Sequence, residues 1–515
     1  MYNSNILDPI HGLIKVSEIE KWIFSQRPFN RLRRIKQNTF LYLVFPSANH
    51  TRFEHSIGVM HLAHQVYLNA NENYSTGIFK KSKYKLNDTS KFEFFSVFHG
   101  LSENEDLIVQ ELRIAALLHD VGHGPMSHLF DHYTISGNQF LEIIKADDEI
   151  QQYESNFMRL LNNLDDTIEH EVVSCLFVIK IINQLKKIDA QYDTKFNKEQ
   201  KNIINGLNIK RIVQMIEPDF NSESELKFNG NDYGDFFSSI ISSFPLDADR
   251  MDYMARDSYF SGVNYGLYDK SRLMMSFIPI NESGKISLAI KESGIDSIIR
   301  FIQSRTHLYN QVYFHKTNRA ANTMLDFACQ KLSESQPVNE AKDYAEFEDF
   351  YWKNSDETFL WNTLKAKVAT SPESQVLEEL LERNLVKRIF QHKIILVDKT
   401  TKELKEINER LKILIEEFKQ SSNEISDIVL IDSFPNKVFK DVEKSKIKII
   451  AKEVDEYVVR SDWKNFNKEL QILEHEVIMF RIYLRGKFKD RIIFNDKKEI
   501  ILSHLKPFIE KLTKF

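Results

Sequence analysis

The scarcity of glycine and proline most constrains this chain. It has 15 Gly and 11 Pro among 515 residues, about 5% of positions, less than half the usual share of about 12%. Sharp turns are therefore few, and the text between them must run in long elements. Apolar residues recur at helical spacing over 51–67, 107–119, 125–133, 169–185, 245–259 and 295–332. A mainly α fold is expected, interrupted by a small hairpin whose strands, 273–280 and 285–290, flank the turn Asn281-Glu-Ser-Gly284. Beyond residue 336, helical text to about 387 gives way to strand-like runs at 394–397, 425–431 and 446–450, alternating with charged helices. The expectation is a helical core over 1–335 and a C-terminal α+β module over 336–515, regulatory or oligomerising. Residues 71–105, rich in Asn, Ser, Lys and Phe, read as a surface excursion.

Composition removes several classes of function. The apolar share of 42% and charged share of 28% are ordinary for a globular chain. No run approaches the roughly 18 apolar residues of a spanning helix, since the best stretch, 172–182, contains Lys180. Residues 1–12 carry Asp8 and Pro9 in place of a signal peptide's basic flank and apolar stretch, so a cytoplasmic location is expected. A net charge of −5 argues against an extensive nucleic-acid surface. Cys175 and Cys329 both lie in apolar helical text and read as buried thiols. Leu404, Ile407, Leu411, Leu414 and Phe418 form a helix seam, better read as facing the core of its own module than as a subunit interface.

Histidine marks the chemistry. Residues 117–131 read Leu-Leu-His-Asp-Val-Gly-His-Gly-Pro-Met-Ser-His-Leu-Phe-Asp. Gly122 and Gly124 stop one helix and Pro125 suits the first turn of the next, so His119 and Asp120 end one helix while His128 begins another. His128 and Asp131 are three apart and share a face, where a carboxylate can orient and charge an imidazole. A His-Asp pair by itself reads as a helix end, because 16 His yield about one such pair by chance. Its company carries the weight: Arg52-Phe-Glu-His55 upstream and Leu246-Asp-Ala-Asp-Arg-Met-Asp-Tyr253 downstream. Arg52 and His55 share a helix face with Val59 and Leu62, so these polar groups need partners inside the core.

The set Asp8-Pro-Ile-His-Gly12, Phe29-Asn-Arg-Leu-Arg33, Ile35-Lys-Gln37, Phe45-Pro46, Arg52-Phe-Glu-His-Ser-Ile-Gly58, His119-Asp-Val-Gly-His-Gly-Pro-Met-Ser-His128 and Asp249-Arg-Met-Asp-Tyr253 resembles the HD-superfamily deoxynucleoside triphosphate triphosphohydrolases. The branch is the one containing the SAM and HD domain protein, and no sterile alpha motif is seen here. The resemblance covers residues 6 to about 330. It implies a divalent metal (Mn, Fe, Mg or Zn) held by His55, His119, Asp120 and Asp249, and hydrolysis at the α-phosphorus of a dNTP, accompanied by further Mg. It also implies that His128, tuned by Asp131, protonates the leaving oxygen, that His170 assists and that His123 contacts phosphate. Arg52, Arg250, Arg305 and Lys316 are the cations for a tetra-anionic substrate. Arg305, Tyr309 and Tyr313, at i, i+4 and i+8, line one helical stripe, and the resemblance places Gln37, Tyr253 and Asp257 near the deoxyribose. A homo-oligomer, tetramer or hexamer, with room for an allosteric nucleotide between subunits, is implied too.

Departures limit the transfer. Asn38 follows Gln37 where the branch has Leu, and Asn38-Thr-Phe-Leu-Tyr42 replaces a glycine-rich stretch, so base and sugar selectivity stay open. Ser25 and Asn30 stand where the branch uses an acidic residue and a Gln to bind an activating guanine nucleotide, although Arg33 remains. The 64 residues from His55 to His119 exceed the family spacing and locate an insertion at 71–105. A nucleotide-sensing regulator without turnover and another HD phosphohydrolase acting on a different nucleotide are the alternatives. The Glu-Asp of alarmone hydrolases is absent, since Val121-Gly122 follow the His-Asp pair.

Overall fold

The computed structural model describes residues 2–76, 83–86, 90–191, 196–242, 245–335, 339–368, 373–396, 401–420, 429–436, 448–453, 456–460, 476–485 and 491–512. The chain divides into two compact units, Met1–Leu308 with Pro337–Thr363 and Lys444–Trp463, and Tyr309–Gln336 with Leu364–Glu443 and Lys464–Phe515. The expected boundary near residue 335 is thus corrected. Two segments from the C-terminal part of the sequence return to the first unit, and the helix over 316–335 belongs to the second.

The first unit is mainly α. Its centre is the helix Arg52–Thr76, packed against Glu105–Leu118, Ala248–Ser261 and the strand Phe277–Glu282. Glu105–Leu118 forms because Glu105 and Asp106 suit the positive helix start and residues 108–118 are all buried. Each fully buried aliphatic side chain there stabilises by roughly 1.5–3 kcal/mol. Ala248–Ser261 is delimited by its ends: Asp247 Oδ1 accepts the Arg250 N–H at 2.7 Å, and Gly262 closes the helix at φ 68°.

The hairpin is real but larger in context. Phe277–Glu282 and Lys285–Lys291 pair antiparallel, and residues 273–274, expected as strand, are helical. The hairpin sits inside a sheet ordered Glu456–Arg460, Lys448–Glu453, Lys285–Lys291, Phe277–Glu282, Ser90–Phe94, Lys83–Leu86. Residues 71–105 are therefore not simply a surface excursion. Residues 71–76 finish a helix, Ser90–Phe94 pairs with Phe277–Glu282, and Phe94, Val97 and Leu101 are buried. Within that strand Glu93 is exposed and Phe94 buried, as neighbouring residues of a strand face opposite sides.

In the second unit, Val429–Asn436, Glu476–Leu484 and Lys387–Leu396 make an antiparallel sheet with Glu476–Leu484 central. The expected runs at 394–397, 425–431 and 446–450 overlap described strands, while 397, 425–428 and 446–447 lie outside the described residues. Ile407, Leu411 and Phe418 join a core with Ile478, Phe480, Leu505 and Phe508, so the helical seam serves its own module. The side chain of Leu404 lies outside the described residues. The helix expected over 295–332 is broken: a π-helical turn, Tyr309–Tyr313, separates Ile295–Leu308 from Lys316–Ser335. Both cysteines are buried free thiols whose pKa burial pushes up.

Candidate active site

Three elements bring the site together: the start of Arg52–Thr76, the turn after Glu105–Leu118 and the first turn of Ala248–Ser261. The turn is packed too tightly for side chains at its glycines. A Cβ on Gly122 would lie 2.1 Å from the His170 carbonyl oxygen, and one on Gly124 2.1 Å from Phe130. Arg31 spans the turn from behind, donating to the His123 and Val121 carbonyls at 2.6 Å each, with its guanidinium over Tyr351. Burial brings Arg31 down to about 10. Residues 127–132 then form a short 3-10 helix in place of the expected α-helix over 125–133.

Within this frame His55, His119 and Asp120 present ligand atoms within 4.8 Å of one another. Asp249 Oδ1 lies 3.0 Å from His55 Nε2 and 3.7 Å from His119 Nε2. The other nitrogen of each imidazole is committed: His55 Nδ1 donates to Asp252 Oδ2 at 2.8 Å, and His119 Nδ1 to the Ala116 carbonyl at 2.9 Å. Both Nε2 atoms are buried with no hydrogen-bond partner among the described residues. Two bare imidazole nitrogens facing two carboxylates fit a divalent cation of borderline hardness, because each residue already presents its coordinating atom inward. The charges agree. Burial alone would lower His55, but Asp249 and Asp252 outweigh it and raise the imidazole to about 10. Burial would raise Asp120, yet His119, Arg52 and His123 hold it well below the carboxylate range.

A second cluster adjoins the first. His123 Nε2 is 3.3 Å from Asp120 Oδ1, and its ring stacks on His170 with centroids 3.5 Å apart. Burial, Arg52 and His170 push the His123 pKa well down. His170 goes the other way: burial opposes protonation, but Asp131 and Glu171 raise it. Its Nδ1–H donates to Asp131 Oδ2 at 2.9 Å. His128 stands 3.6 Å from the same oxygen with its side chain 72% exposed, and its ring edge meets His123 and His170 at 4.7 and 4.9 Å. One exposed imidazole backed by a shared carboxylate can deliver a proton to a bound group.

The remaining expected residues divide. Arg52 bonds Asp120 and, through Nε, Ser127 Oγ. Arg250 pairs with Asp247, and Arg305 Nε donates to the Tyr253 hydroxyl at 3.0 Å. Gln37 is half-buried with Oε1 lacking a partner among the described residues, while Asp257 is buried against His50. Tyr309, Tyr313 and Lys316 fall in the second unit. The π turn interrupts the 3.6-residue repeat that put Arg305, Tyr309 and Tyr313 on one stripe, although the two tyrosine rings still meet edge to face at 4.8 Å.

Sequence reasoning assigned no role to four groups that hold this site. Asp252 accepts from His55, His11 and Arg256, and Arg256 also binds Asp8. Gly58 makes room for them, since a Cβ there would meet Asp252 Oδ1 at 1.9 Å. Asp356 accepts the Met126 and Lys36 N–H groups at 2.7 and 2.8 Å. The signal for Asp252 was present in the text, three residues after Asp249 and four before Arg256.

Known proteins resemble this chain in sequence and fold. Residues 52–171 match the HD domain and residues 268–502 the HD associated region. The uncharacterized protein MJ1154 of Methanocaldococcus jannaschii is 29% identical over 75% of this chain and 59% of its own length. YwfO of Bacillus subtilis, also uncharacterized, is 29% identical over 62% and 53%. The deoxynucleoside triphosphate triphosphohydrolase SAMHD1 of Homo sapiens is 26% identical over 75% and 54%. The matches thus span little more than half of these relatives' own lengths. A crystal structure of a hypothetical protein from Aquifex aeolicus, 22% identical, shares the fold at a TM-score of 0.58, covering 98% of this chain and 100% of that one. With the HD motif residues folded into one cluster, the chain carries an HD domain followed by an HD associated region and is related to the HD-superfamily triphosphohydrolases.

Proposed function

We propose that the protein is a metal-dependent phosphohydrolase that converts dNTPs to deoxynucleoside and inorganic triphosphate. The observation that carries this is the adjacency of the two clusters: ligand-type groups His55, His119, Asp120 and Asp249 on one side, the proton-carrying set His123, His128, Asp131 and His170 on the other, bridged by the 3.3 Å approach of His123 to Asp120. His55, His119, Asp120 and Asp249 would hold a divalent ion, whose positive charge would polarise a phosphate oxygen and the attacking water. The protein's own groups do the rest. Arg52 and Arg305 present cationic charge to the phosphates. Water attacks the α-phosphorus, the bond to the 5′ oxygen breaks, and His128 gives that oxygen its proton while Asp131 and His170 hold the donor in place. One proton of the water leaves to solvent.

The substrate class is favoured by the activity for which the human relative is named and by the sugar-side residues of the resemblance. A regulatory nucleotide finds matching chemistry in the second unit, a cavity of about 380 Å³ lined by Lys316, Arg383, Lys387, Arg388 and Tyr483. Control of dNTP pools, or their depletion against phage, is the use such an activity serves in a cytoplasmic homo-oligomer. Incubating the protein with each dNTP and Mn or Mg, then resolving products, tests the reading. Deoxynucleoside plus triphosphate supports it, monophosphate plus pyrophosphate assigns a different bond, and tight nucleotide binding without turnover favours a sensor.

A further inference from the structure

We propose that His50 is a positioning residue for sugar recognition, fixing the two groups that read the deoxyribose. This rests on the dNTP reading above. The His50 imidazole donates through Nε2 to Asp257 Oδ1 at 2.6 Å, with both side chains almost fully buried. Its ring stacks on Phe260 at 4.7 Å and 17°, which fixes the ring plane and hence the direction of the donated proton. Nδ1 is buried without a partner among the described residues, as the tautomer with its proton on Nε2 requires, because an N–H there would be a costly orphan.

The same residue acts through its backbone. The His50 carbonyl accepts the Gln37 N–H at 3.1 Å, and the Gln37 side chain carries a buried acceptor, Oε1, with no partner among the described residues. His50 is therefore a hinge pin between two segments. Its main chain sets where Gln37 stands, and its side chain sets how Asp257, 207 residues further on, presents its carboxylate. A dNTP has one free sugar hydroxyl, at C3′. A carboxylate with one oxygen held by His50 is oriented to accept from that hydroxyl, and charge-assisted bonds of this kind depend steeply on alignment.

The experiment compares kcat/KM for a dNTP with that for the matching 2′,3′-dideoxynucleotide, in the wild type and in His50→Phe, His50→Gln, Asp257→Asn and the double variant His50→Phe/Asp257→Asn. The wild type is expected to favour the 3′-hydroxyl by tenfold or more. His50→Phe keeps a ring on Phe260 but donates nothing, and should reduce that preference at least fivefold, mainly through KM. Asp257→Asn should do the same, and the double variant no more than either, because the two act as one unit. His50→Gln, which can still donate, should recover part of the preference. Metal content and melting temperature accompany each variant. A preference that survives in folded, metal-loaded His50→Phe overturns the proposal while leaving the hydrolase reading intact, as does equal loss on both substrates. A metal-loaded wild type inert towards every dNTP overturns both.

Discussion

Asp252→Asn probes whether the site depends on groups that never face the substrate. Asp252 is fully buried, and its hydrogen-bond partners among the described residues are all donors: His55 Nδ1 at 2.8 Å, His11 Nε2 at 2.7 Å, and Arg256 Nε and Nη2 at 2.8 and 2.9 Å. An asparagine of the same shape must turn its amide N–H groups against two of these donors. The change thus loses two charge-assisted bonds and leaves Arg256 with Asp8 as its remaining carboxylate partner among the described residues. Charge-assisted bonds contribute about 1.5–3 kcal/mol each, and breaking a buried pair costs about 3–5 kcal/mol. With Asp8 compensating in part, we expect about 2–4 kcal/mol of lost stability. The loss should extend to the metal, because His55 presents Nε2 to the cluster only while Nδ1 is held. Removal of an outer partner of this type typically lowers metal affinity about 10–100-fold. Calorimetric titration of Mn into metal-free protein, beside thermal unfolding, measures both. Unchanged affinity in a folded variant refutes the argument that Asp252 sets the ligand, and unchanged stability refutes the argument from buried charge.

His119→Ala or Asp120→Ala should lower bound metal and abolish turnover while the fold survives, since ligands to one ion act as a unit; full activity with the site empty contradicts the assignment. His128→Ala should lower kcat by about 10²–10⁴ with metal content retained, the range for a lost proton donor, and Asp131→Asn should cost less. Single-turnover rates with metal analysis decide, and an unchanged rate moves the acid role to His123 or His170. Burial holds Asp356 at about 6 in the folded chain against an ordinary 3.8, so folding takes up a proton. Its contribution is greatest below about pH 4 and is lost as pH rises through 6. Asp356→Asn, neutral throughout, should therefore gain in Tm relative to the wild type between about pH 5 and pH 7.5, and a constant difference argues against the shift.

The part of the site that was legible in the sequence is the part encoded locally. Gly122, Gly124 and Pro125 write the break that gathers His119, Asp120, His123 and His128, and the i, i+3 spacing of Arg52 and His55 writes their shared face. The helical class followed from the same local periodicities. What failed was long range. Nothing in the text around Asn49-His50-Thr51 announces a partner at Asp257, and Ser355-Asp356 reads as a helix start, which it also is. The strand Ser90–Phe94 was missed because five residues inside a polar stretch are too short a run for an alternation to stand out. The π turn at 309–313 was missed because one extra residue per turn leaves no mark in a pattern of apolar spacings.

Asp356 shows why the domain boundary could not be read from composition. Met126 and Ser127 both stand in the left-handed region, at φ 65° and 56°, without being glycine. Two such residues in succession cost roughly 1–2 kcal/mol each, so a turn with this geometry needs outside support. The support comes mostly from far away in sequence. Asp356 accepts the Met126 N–H, Thr39 Oγ1 donates to the Met126 carbonyl, and the Ser127 hydroxyl bonds both Arg52 and the Lys36 carbonyl. Phe350, Tyr351 and Phe359 close around Phe130 on the far side of the same turn. Residues 337–363 therefore return to the first unit for a physical reason. They hold the strained backbone immediately before His128, and a chain cut at residue 335 would lack the carboxylate and the rings that keep this turn in its left-handed form.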